Sequence, residues 1–280
     1  MIYTGLDLRP TPQYPTYPPY HQGNYLEDYF YSHFVVNKPI VARNYIGVSW
    51  TTLYCDNKDQ SLQVFLDALD PNEKYFTVMQ HDDAPKHNLP KDTLCFSAGG
   101  NVRGDNIIPI PLICSPIPYI IQNAEKTLLA SFVGSLTHPI RTEMANSLNN
   151  KPNCVINVKN WSPNVDNNEF NNFINLASKS KFLLCPRGYG LNSFRLYEAF
   201  QLGCVPVIIT DILYLPWTDE LNWKEFSVII HACDVDKIYD ILNSIDQTTY
   251  SNMINKGIEV YDKYFTLNGM YQNIIKRIYI

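Results

Sequence analysis

The stretch that decides the fold is FLLCPRGYGLNSFRLYEAF, residues 182–200, where an apolar run meets a turn and then a helical pattern. The spacing of apolar residues predicts a buried strand over 181–185 and an amphipathic helix over 193–202. Gly188 and Gly190 lie between them and let backbone N–H groups approach an anion, while the helix N-terminus adds positive potential. Because ligands of open α/β sheets bind where strands end, this turn is predicted to hold an anionic ligand.

Three charged residues sharpen that prediction. Arg187 lies in the turn, Arg195 lies in the first turn of the helix, and Glu198 follows on the same helix face. The arrangement suits a nucleotide diphosphate, with the arginines on the phosphates and the glutamate on the ribose hydroxyls. The alternative is that Arg195 and Glu198 are an intrahelical ion pair of an ordinary helix, and their spacing alone is compatible with both.

Outward from this stretch, short apolar runs alternate with helical patterns. In the second half, strands are predicted at 131–134, 154–158, 181–185, 205–210 and 226–230, and helices at 140–149, 168–178, 193–202, 235–245 and from 249 onward. In the first half, strands are predicted at 2–5, 34–36, 45–48, 75–80 and 93–96, and a helix at 61–69. Such alternation is typical of parallel βαβ units.

The domain boundary is predicted near 118–128, after a proline-rich segment at 107–118 that reads as a linker. This division gives an acceptor-side domain at 1–120 and a donor domain at 121–265. Residues 266–280 form a C-terminal helix that can pack back on the first domain.

Composition excludes several functional classes. A net charge of −5 over 280 residues provides no basic field for nucleic acid. Seven scattered cysteines without a Cys-x-x-Cys pair indicate reduced thiols of a cytosolic protein rather than a metal site or a disulfide framework. The N-terminus lacks a signal-peptide pattern, and no apolar run approaches the ~18 residues of a membrane span. A cytoplasmic protein without a membrane span is therefore expected.

The stretch also resembles the donor domain of the exostosin-type glycosyltransferases. That domain carries Cys-Pro-Arg-Gly, Ser-x-Arg-Leu-x-Glu-Ala, Gly-Cys-x-Pro-Val and Leu-Pro in this order. The same motifs stand here at 185–188, 193–199, 203–207 and 215–216. Phe132-Val133-Gly134 with Arg141 looks like the first strand and helix of that domain. The segment 222–228 is similar to the family's Asp-Trp-x-x-Phe-Ser-Val, with Asn222 in place of Asp.

A fainter part of the resemblance lies in the first half. Residues 75–85 look like the family's strand that ends in His-Asp-x-Ala-Pro, and 105–109 resemble its Asp-x-x-x-Pro motif. Together the resemblance spans roughly residues 75–230. The sequence is short and no anchor is expected in it, so the resemblance points to compact, unanchored members encoded by large algal viruses rather than to most cellular relatives.

The resemblance implies an α/β protein of GT-B type, in which two Rossmann-like domains face each other across a cleft. It also implies an inverting reaction and usually a UDP-sugar donor. Because two arginines and a helix N-terminus can take the charge of the leaving group, no metal and no other cofactor is expected. Arg187 and Arg195 would then stabilise the leaving diphosphate. The motifs and the resemblance together place the donor site at Gly134, Arg141, Pro186, Arg187, Gly188, Tyr189, Gly190, Asn192, Ser193, Arg195 and Glu198.

The catalytic base is expected on the first domain, facing the cleft. Asp82 is the first candidate, because it follows the predicted strand at 75–80 and lies in the matching segment. Asp83 and His81 are its rivals, and Asp7, just after the first strand, comes next. The alternative is that the residues around Asp82 form a solvated turn before Pro85.

Two further patterns leave alternatives open. Asp234-Val235-Asp236 fits the Asp-x-Asp motif with which another glycosyltransferase architecture holds manganese, but its place after a strand favours an N-cap role. The Pro- and Tyr-rich segment 9–20 is predicted to be a surface loop, or else a loop that binds the acceptor through its tyrosine rings.

The expected partners are a nucleotide-sugar donor and a glycan or glycoprotein acceptor. If the viral resemblance holds, UDP-xylose is the preferred donor, with UDP-glucuronic acid, UDP-galactose and UDP-N-acetylglucosamine still open. A rival hypothesis is a non-catalytic sugar- or nucleotide-binding partner subunit. An NAD-type dehydrogenase is excluded, because no Gly-x-Gly-x-x-Gly stands between a first strand and helix.

Overall fold

A computed structural model describes residues 1–11, 25–114, 116–117, 124–162 and 164–279. The first half builds a parallel five-stranded sheet in the order β1-β2-β3-β4-β5. Its strands are β1 Ile2–Tyr3, β2 Asn44–Ile46, β3 Tyr75–Met79, β4 Leu94–Ser97 and β5 Ile107–Pro109. Its helices are α1 Leu26–Asn37, α2 Trp50–Cys55 and α3 Leu62–Asp67.

The second half builds another parallel five-stranded sheet, in the order β10-β9-β8-β6-β7. Its strands are β6 Leu128–Gly134, β7 Cys154–Val158, β8 Ser180–Pro186, β9 Val205–Thr210 and β10 Val228–His231. Its helices are α4 Pro139–Leu148, α5 Asn167–Ser178, α6 Phe194–Gln201, α7 Ile238–Ser244, α8 Gln247–Tyr264 and α9 Leu267–Ile278. The predicted α/β architecture of GT-B type, with two Rossmann-like sheets, is confirmed.

The strand order of the second sheet locates its ligand crevice. β6 lies between β7 and β8, so the chain leaves β6 toward one edge of the sheet and then returns to its other side. Such a reversal opens a crevice at the carboxyl ends of the two strands that flank it, here β6 and β8.

Buried apolar strands hold both sheets in place. All five residues of β3 and all six of β9 are buried, as expected for central strands of parallel sheets that are covered on both faces. One apolar cluster includes residues of both sheets, among them Phe76 and Val133. The two halves therefore share a core.

The last helix crosses back to the first sheet. Tyr271 of α9 packs against Phe30 of α1 with ring centroids 5.2 Å apart. The backbone N–H of Ala42 donates to the carbonyl of Ile278 over 2.8 Å. Between α8 and α9 the helix breaks at Phe265, and Thr266 caps α9 by accepting a hydrogen bond from the N–H of Gly269. The predicted continuous helical tail is thus two helices.

Two elements of the first half differ from the sequence prediction. The predicted strand at 34–36 is wrong, because these residues end α1, where Phe30 and Phe34 share the buried face and Val36 faces solvent. The predicted linker at 107–118 begins with an edge strand, β5, which tolerates Pro109.

Some predictions fall where the structure gives no description. Most of the Pro- and Tyr-rich segment, 12–20, and the part of the predicted boundary at 118–123 lie outside the described residues. Among the described helices, none combines the length and apolar character that crossing a membrane requires.

Candidate functional site

A cavity of about 480 Å³ lies where the carboxyl ends of the two sheets meet. Its volume is in the range typical of small-molecule sites. The first half of the chain contributes residues of α2 and of the segment that follows β3, and the second half contributes the loops that follow β6, β7 and β8. Of the predicted site residues, those that line it are His81, Asp82, Gly134, Arg141, Gly188, Tyr189, Gly190, Asn192, Ser193 and Arg195.

Arg141 of α4 ties together the two loops that flank the crevice. Its Nε donates to the carbonyl of Arg187 over 2.9 Å, its Nη1 to Ser135 over 2.9 Å and its Nη2 to Pro186 over 3.3 Å. A Cβ on Gly188 would lie 2.8 Å from Nη2, so the glycine is required for this close approach. Arg141 therefore shapes the turn between β8 and α6.

Arg195 and Glu198 form an ion pair within α6. The Arg195 guanidinium also donates from Nε to the carbonyl of Val133 over 3.2 Å and lies 3.9 Å above the ring of Phe173. The Glu198 side chain is only 2% exposed, and of the two partners it is Arg195 that lines the cavity. The intrahelical pair is thus present, and it holds the guanidinium at the cavity wall.

Arg187 lies behind the turn rather than on the cavity wall. Its Nη1 donates to Asp211 Oδ1 over 2.7 Å, and its Nη2 donates to the carbonyl of Tyr189 over 3.1 Å. Asp211 directly follows β9. The guanidinium therefore clamps the turn to the residue that follows the neighbouring strand, and its charge is paired with the Asp211 carboxylate.

Asn192 and Ser193 directly precede α6 and differ in the hydrogen bonds that their side chains make. The Asn192 amide donates to the carbonyls of Ala98 and Ile110 over 3.0 and 3.2 Å, and its Oδ1 accepts the Ser193 N–H and the Tyr197 hydroxyl. These bonds link the second sheet to the first. Ser193 is the N-cap residue but makes no side-chain capping bond.

Gly134 and Pro186 close the strands at the crevice. The carbonyl of Gly134 accepts the N–H of Lys159 over 2.9 Å, which joins the end of β6 to the residue after β7. Pro186 is the buried last residue of β8. Both residues set the course of the backbone beside the cavity.

Asp82 faces the turn of the other sheet. A Cβ on Gly190 would lie 2.4 Å from Asp82 Oδ1, so the carboxylate rests directly on the glycine backbone. Burial and, second, the neighbouring Asp83 carboxylate raise the pKa of Asp82 to about 6. A carboxyl group with a pKa near working pH has the protonation balance of a general base.

Asp83 bonds to the same turn. Both of its oxygens lie 3.1 Å from the Tyr189 hydroxyl, which donates to them, and Asn101 Nδ2 donates to Oδ1 over 2.8 Å. The side chains of Asp83 and Tyr189 thus join the two sheets across the cavity mouth. Tyr189, a predicted donor-site residue, is therefore hydrogen-bonded to a residue of the first half of the chain.

His81 lines the cavity, whereas Asp7 does not. His81 Nδ1 accepts the Asp83 N–H over 3.1 Å, and burial together with the charge of Lys86 lowers the pKa of this imidazole. His81 is accordingly neutral at pH 7. Asp7 is an exposed residue of a short 3-10 helix, Leu6–Leu8, and it stands apart from the other candidates.

Two features of the site are not among the residues predicted from the sequence. Trp161 and Phe170, at the loop after β7 and on α5, line the cavity, and the sequence offers only the scattered aromatic residues as a signal. Glu27 is fully buried and accepts the N–H of Thr51, which lines the cavity, over 2.6 Å. Burial and the charge of Asp28 raise the pKa of Glu27 to about 7.

The Asp-x-Asp pattern has another structural role than predicted. Asp234 lies inside a 3-10 helix, Ala232–Lys237, whose N-cap is His231, so the predicted N-cap role is wrong. Its carboxylate pairs with Lys237 over 2.6 Å. Within the part of the chain that the structure describes, no group of three or more His, Cys, Asp or Glu side chains is arranged to hold a metal ion.

Residues 65–245 match the family model described as the Exostosin GT47 domain. A probable glycosyltransferase of Arabidopsis thaliana is 33% identical over 146 residues, which is 52% of this chain and 27% of the relative. The exostosin-1 homolog of Caenorhabditis elegans is 33% identical over 101 residues, 35% of this chain and 26% of the relative. A probable glucuronoxylan glucuronosyltransferase of A. thaliana is 40% identical over 82 residues, which is 29% of this chain and 18% of the relative.

The matches to the first three curated relatives span between 20% and 29% of those proteins. Among solved structures, a glycosyltransferase from Rickettsia africae aligns with 92% of this chain and 83% of its own, at 10% identity and a TM-score of 0.45.

Proposed function

Because the chain belongs to the exostosin GT47 family, we propose that it is an inverting glycosyltransferase that moves a sugar from a UDP-sugar to a glycan hydroxyl. One observation carries the proposal. The cavity between the sheets has the Arg195 guanidinium and the N-terminus of α6 on one wall and Asp82 on the other. A displacement at the anomeric carbon needs these two groups on opposite sides of the donor.

The donor wall suits the leaving group. As the bond between the anomeric carbon and the diphosphate oxygen breaks, its electron pair leaves with the diphosphate. Arg195 at the wall and the N–H groups that begin α6 stabilise that charge. These groups supply positive charge from the protein itself, so we propose that transfer proceeds without a metal.

The acceptor wall suits the proton transfer. The acceptor hydroxyl forms the new bond to the anomeric carbon, and its proton passes to the Asp82 carboxylate. With a pKa of about 6, this carboxyl group is mostly ionised at neutral pH and still basic enough to accept the proton. His81 lies beside it as a neutral imidazole.

The proposal also names a donor sugar, which membership of the family does not specify. UDP-xylose remains the preferred donor, with the acceptor on a glycoprotein of viral type. A neutral pentose needs no cation, and Lys159 of the cavity wall is already engaged by Glu169 over 2.9 Å. UDP-glucuronic acid is the second candidate, because some relatives are named as probable glucuronosyltransferases.

A non-catalytic nucleotide-binding subunit is the alternative. It is favoured by the internal bonds that engage Arg187 and Asn192, which would otherwise serve the donor. Both proposals share a bound nucleotide, but only the first requires turnover.

The test is a binding screen followed by a transfer assay. UDP, GDP and a panel of UDP-sugars are added to the protein with and without EDTA, and the melting temperature is followed. At a hundred times its Kd, a ligand stabilises the native state by about 2.7 kcal/mol. We expect UDP and one UDP-sugar to stabilise the protein equally in EDTA, and that sugar to be transferred. Binding without hydrolysis or transfer would favour the subunit, and no shift with any nucleotide would overturn both.

A further inference from the structure

The loops of the second sheet form a row along the cavity. The turn after β8, the loop after β6 and the loop after β7 follow one another in the order of their strands. Neighbouring strands lie about 4.8 Å apart, so the loop after β7 stands roughly 10 Å from the turn that is proposed to hold the diphosphate. This is the direction in which the rest of a nucleotide bound at the turn can extend.

Along that direction, the cavity wall changes from cationic to aromatic. Arg195 lies 3.9 Å above the ring of Phe173, and the ring of Phe173 lies 6.3 Å from that of Phe170. Phe173 is buried and its face is covered by the guanidinium, whereas Phe170 is half-buried. The order of these groups matches a nucleotide, in which the phosphates precede the ribose and the base.

Trp161 completes the aromatic end of the wall. It lies in the loop after β7, lines the cavity and is 69% exposed. Asn160 and Ser162, on either side of it, line the cavity as well. The Ser162 hydroxyl is engaged locally, because it donates to the carbonyl of Asn164 over 2.7 Å and accepts the N–H of Asn164 over 3.1 Å. A single exposed aromatic residue is ordinary on a protein surface. An exposed aromatic face inside a cavity, flanked by polar groups, is typical of a site for a planar ligand.

We propose that Trp161 and Phe170, here called the aromatic slot, bind the nucleobase of the donor, which stacks on Trp161. The Asn160 amide contributes hydrogen bonds to the edge of the base. The inference rests on the proposed function, because it uses the diphosphate at the turn after β8 as its reference point. It adds the subsite that selects a nucleotide over pyrophosphate or a sugar phosphate.

Tryptophan fluorescence tests the slot without an activity assay. The chain has four tryptophans. Trp50, Trp217 and Trp223 are at most 3% exposed, so acrylamide should quench mainly Trp161. We expect UDP and UMP to protect this residue from acrylamide, and inorganic pyrophosphate and a free oligosaccharide not to protect it. Protection by the oligosaccharide instead would assign the slot to the acceptor and overturn the inference.

Two variants give an independent measurement by calorimetry. Base stacking on an aromatic side chain corresponds to roughly tenfold to a hundredfold in affinity. Trp161→Ala should weaken UDP and UMP by about that factor and leave pyrophosphate binding unchanged. Trp161→Phe, which keeps an aromatic face, should stay much closer to the wild type.

The outcomes separate the slot from the proposed function. Unchanged UDP affinity in Trp161→Ala, with UDP bound to the wild type, overturns the slot alone. Failure of the wild type to bind UDP and UMP overturns the proposed function. Trp161 lies in an exposed loop, so both variants should fold as the wild type does.

Discussion

The two sheets present opposite chemistry to the cavity they share. The second sheet offers a glycine turn, a helix N-terminus and the guanidinium of Arg195. The first sheet offers an acidic turn, in which burial keeps the pKa of Asp82 well above its usual range. In the proposed reaction, the charge that develops on the leaving group is stabilised on one side, and the proton is accepted on the other. Each sheet would then serve a separate half of the reaction.

The two walls are nevertheless mechanically connected. The Tyr189 hydroxyl donates to Asp83, and the backbone of Gly190 supports the Asp82 carboxylate. The turn that is proposed to hold the diphosphate therefore also positions the proposed base. The comparison predicts that some substitutions on the donor side will act on the proton transfer.

The largest effect is expected at the acidic wall. Asp82→Asn removes the proposed base and should lower kcat by about 10²- to 10⁴-fold, since a general base contributes that much, while UDP binding stays intact. Steady-state kinetics and calorimetry measure the two quantities. Asp7→Asn, an exposed carboxylate outside the cavity, is the control and should be silent. A larger loss in Asp7→Asn than in Asp82→Asn would reverse the assignment.

Next comes the stability of the donor wall. Glu198→Ala leaves the Arg195 guanidinium without the carboxylate of its buried pair and should lower the free energy of unfolding by about 3 to 5 kcal/mol. Glu259→Ala breaks an exposed pair of the same spacing, with Lys256, and should cost at most about 0.5 kcal/mol. Urea denaturation compares them. Equal costs would contradict the buried pair as a stabilising element of this wall.

A smaller effect tests the connection between the walls. Gly190→Ala places a Cβ where the Asp82 carboxylate lies, and moving a reacting group by about 1 Å costs roughly 10²-fold in rate. Turnover should fall by about that factor, with a melting temperature close to the wild type. Gly104→Ala is the matched control, because its Cβ would meet nothing closer than 3.9 Å. Normal turnover in Gly190→Ala would contradict the idea that the turn at Gly190 positions the Asp82 carboxylate.

The smallest effect lies in the pH profile. The base acts when deprotonated, so kcat/KM should fall as pH drops through about 6, near the raised pKa of Asp82. Asp83→Asn removes the second cause of that raised pKa and should move this acid limb to lower pH. The limb should remain above the usual range of an aspartate, because burial is the first cause.

Tyr189→Phe is the control for this shift. It removes a hydrogen bond to Asp83 but leaves the carboxylate charge in place, so the acid limb should move less than in Asp83→Asn. A limb that does not respond to Asp83→Asn would assign it to a group other than Asp82.

Strand bounds were predicted well where the apolar run is a buried strand of a parallel sheet. The bounds of β7 and β9 agree with the prediction, and β9 is a continuous apolar run because both faces of a central parallel strand are covered. The run Phe34-Val35-Val36 is also apolar and rich in β-branched residues, yet it ends a helix, because Phe30 and Phe34 share the face that packs on the sheet. β-Branched residues favour strands, but that preference is outweighed where the packing of one face requires the periodicity of a helix.

The amino-acid sequence by itself determined the family, the parallel α/β architecture and the position of the anionic turn, because apolar periodicity, glycines and short motifs are local properties. Only the tertiary structure decided that Arg187 bonds to Asp211, that Asn192 links the sheets and that Asp82 rests on Gly190. Along the sequence, these partners lie between 24 residues (Arg187 and Asp211) and 108 residues (Asp82 and Gly190) apart. Their contact depends on how helices and sheets pack, which no local pattern of the chain contains.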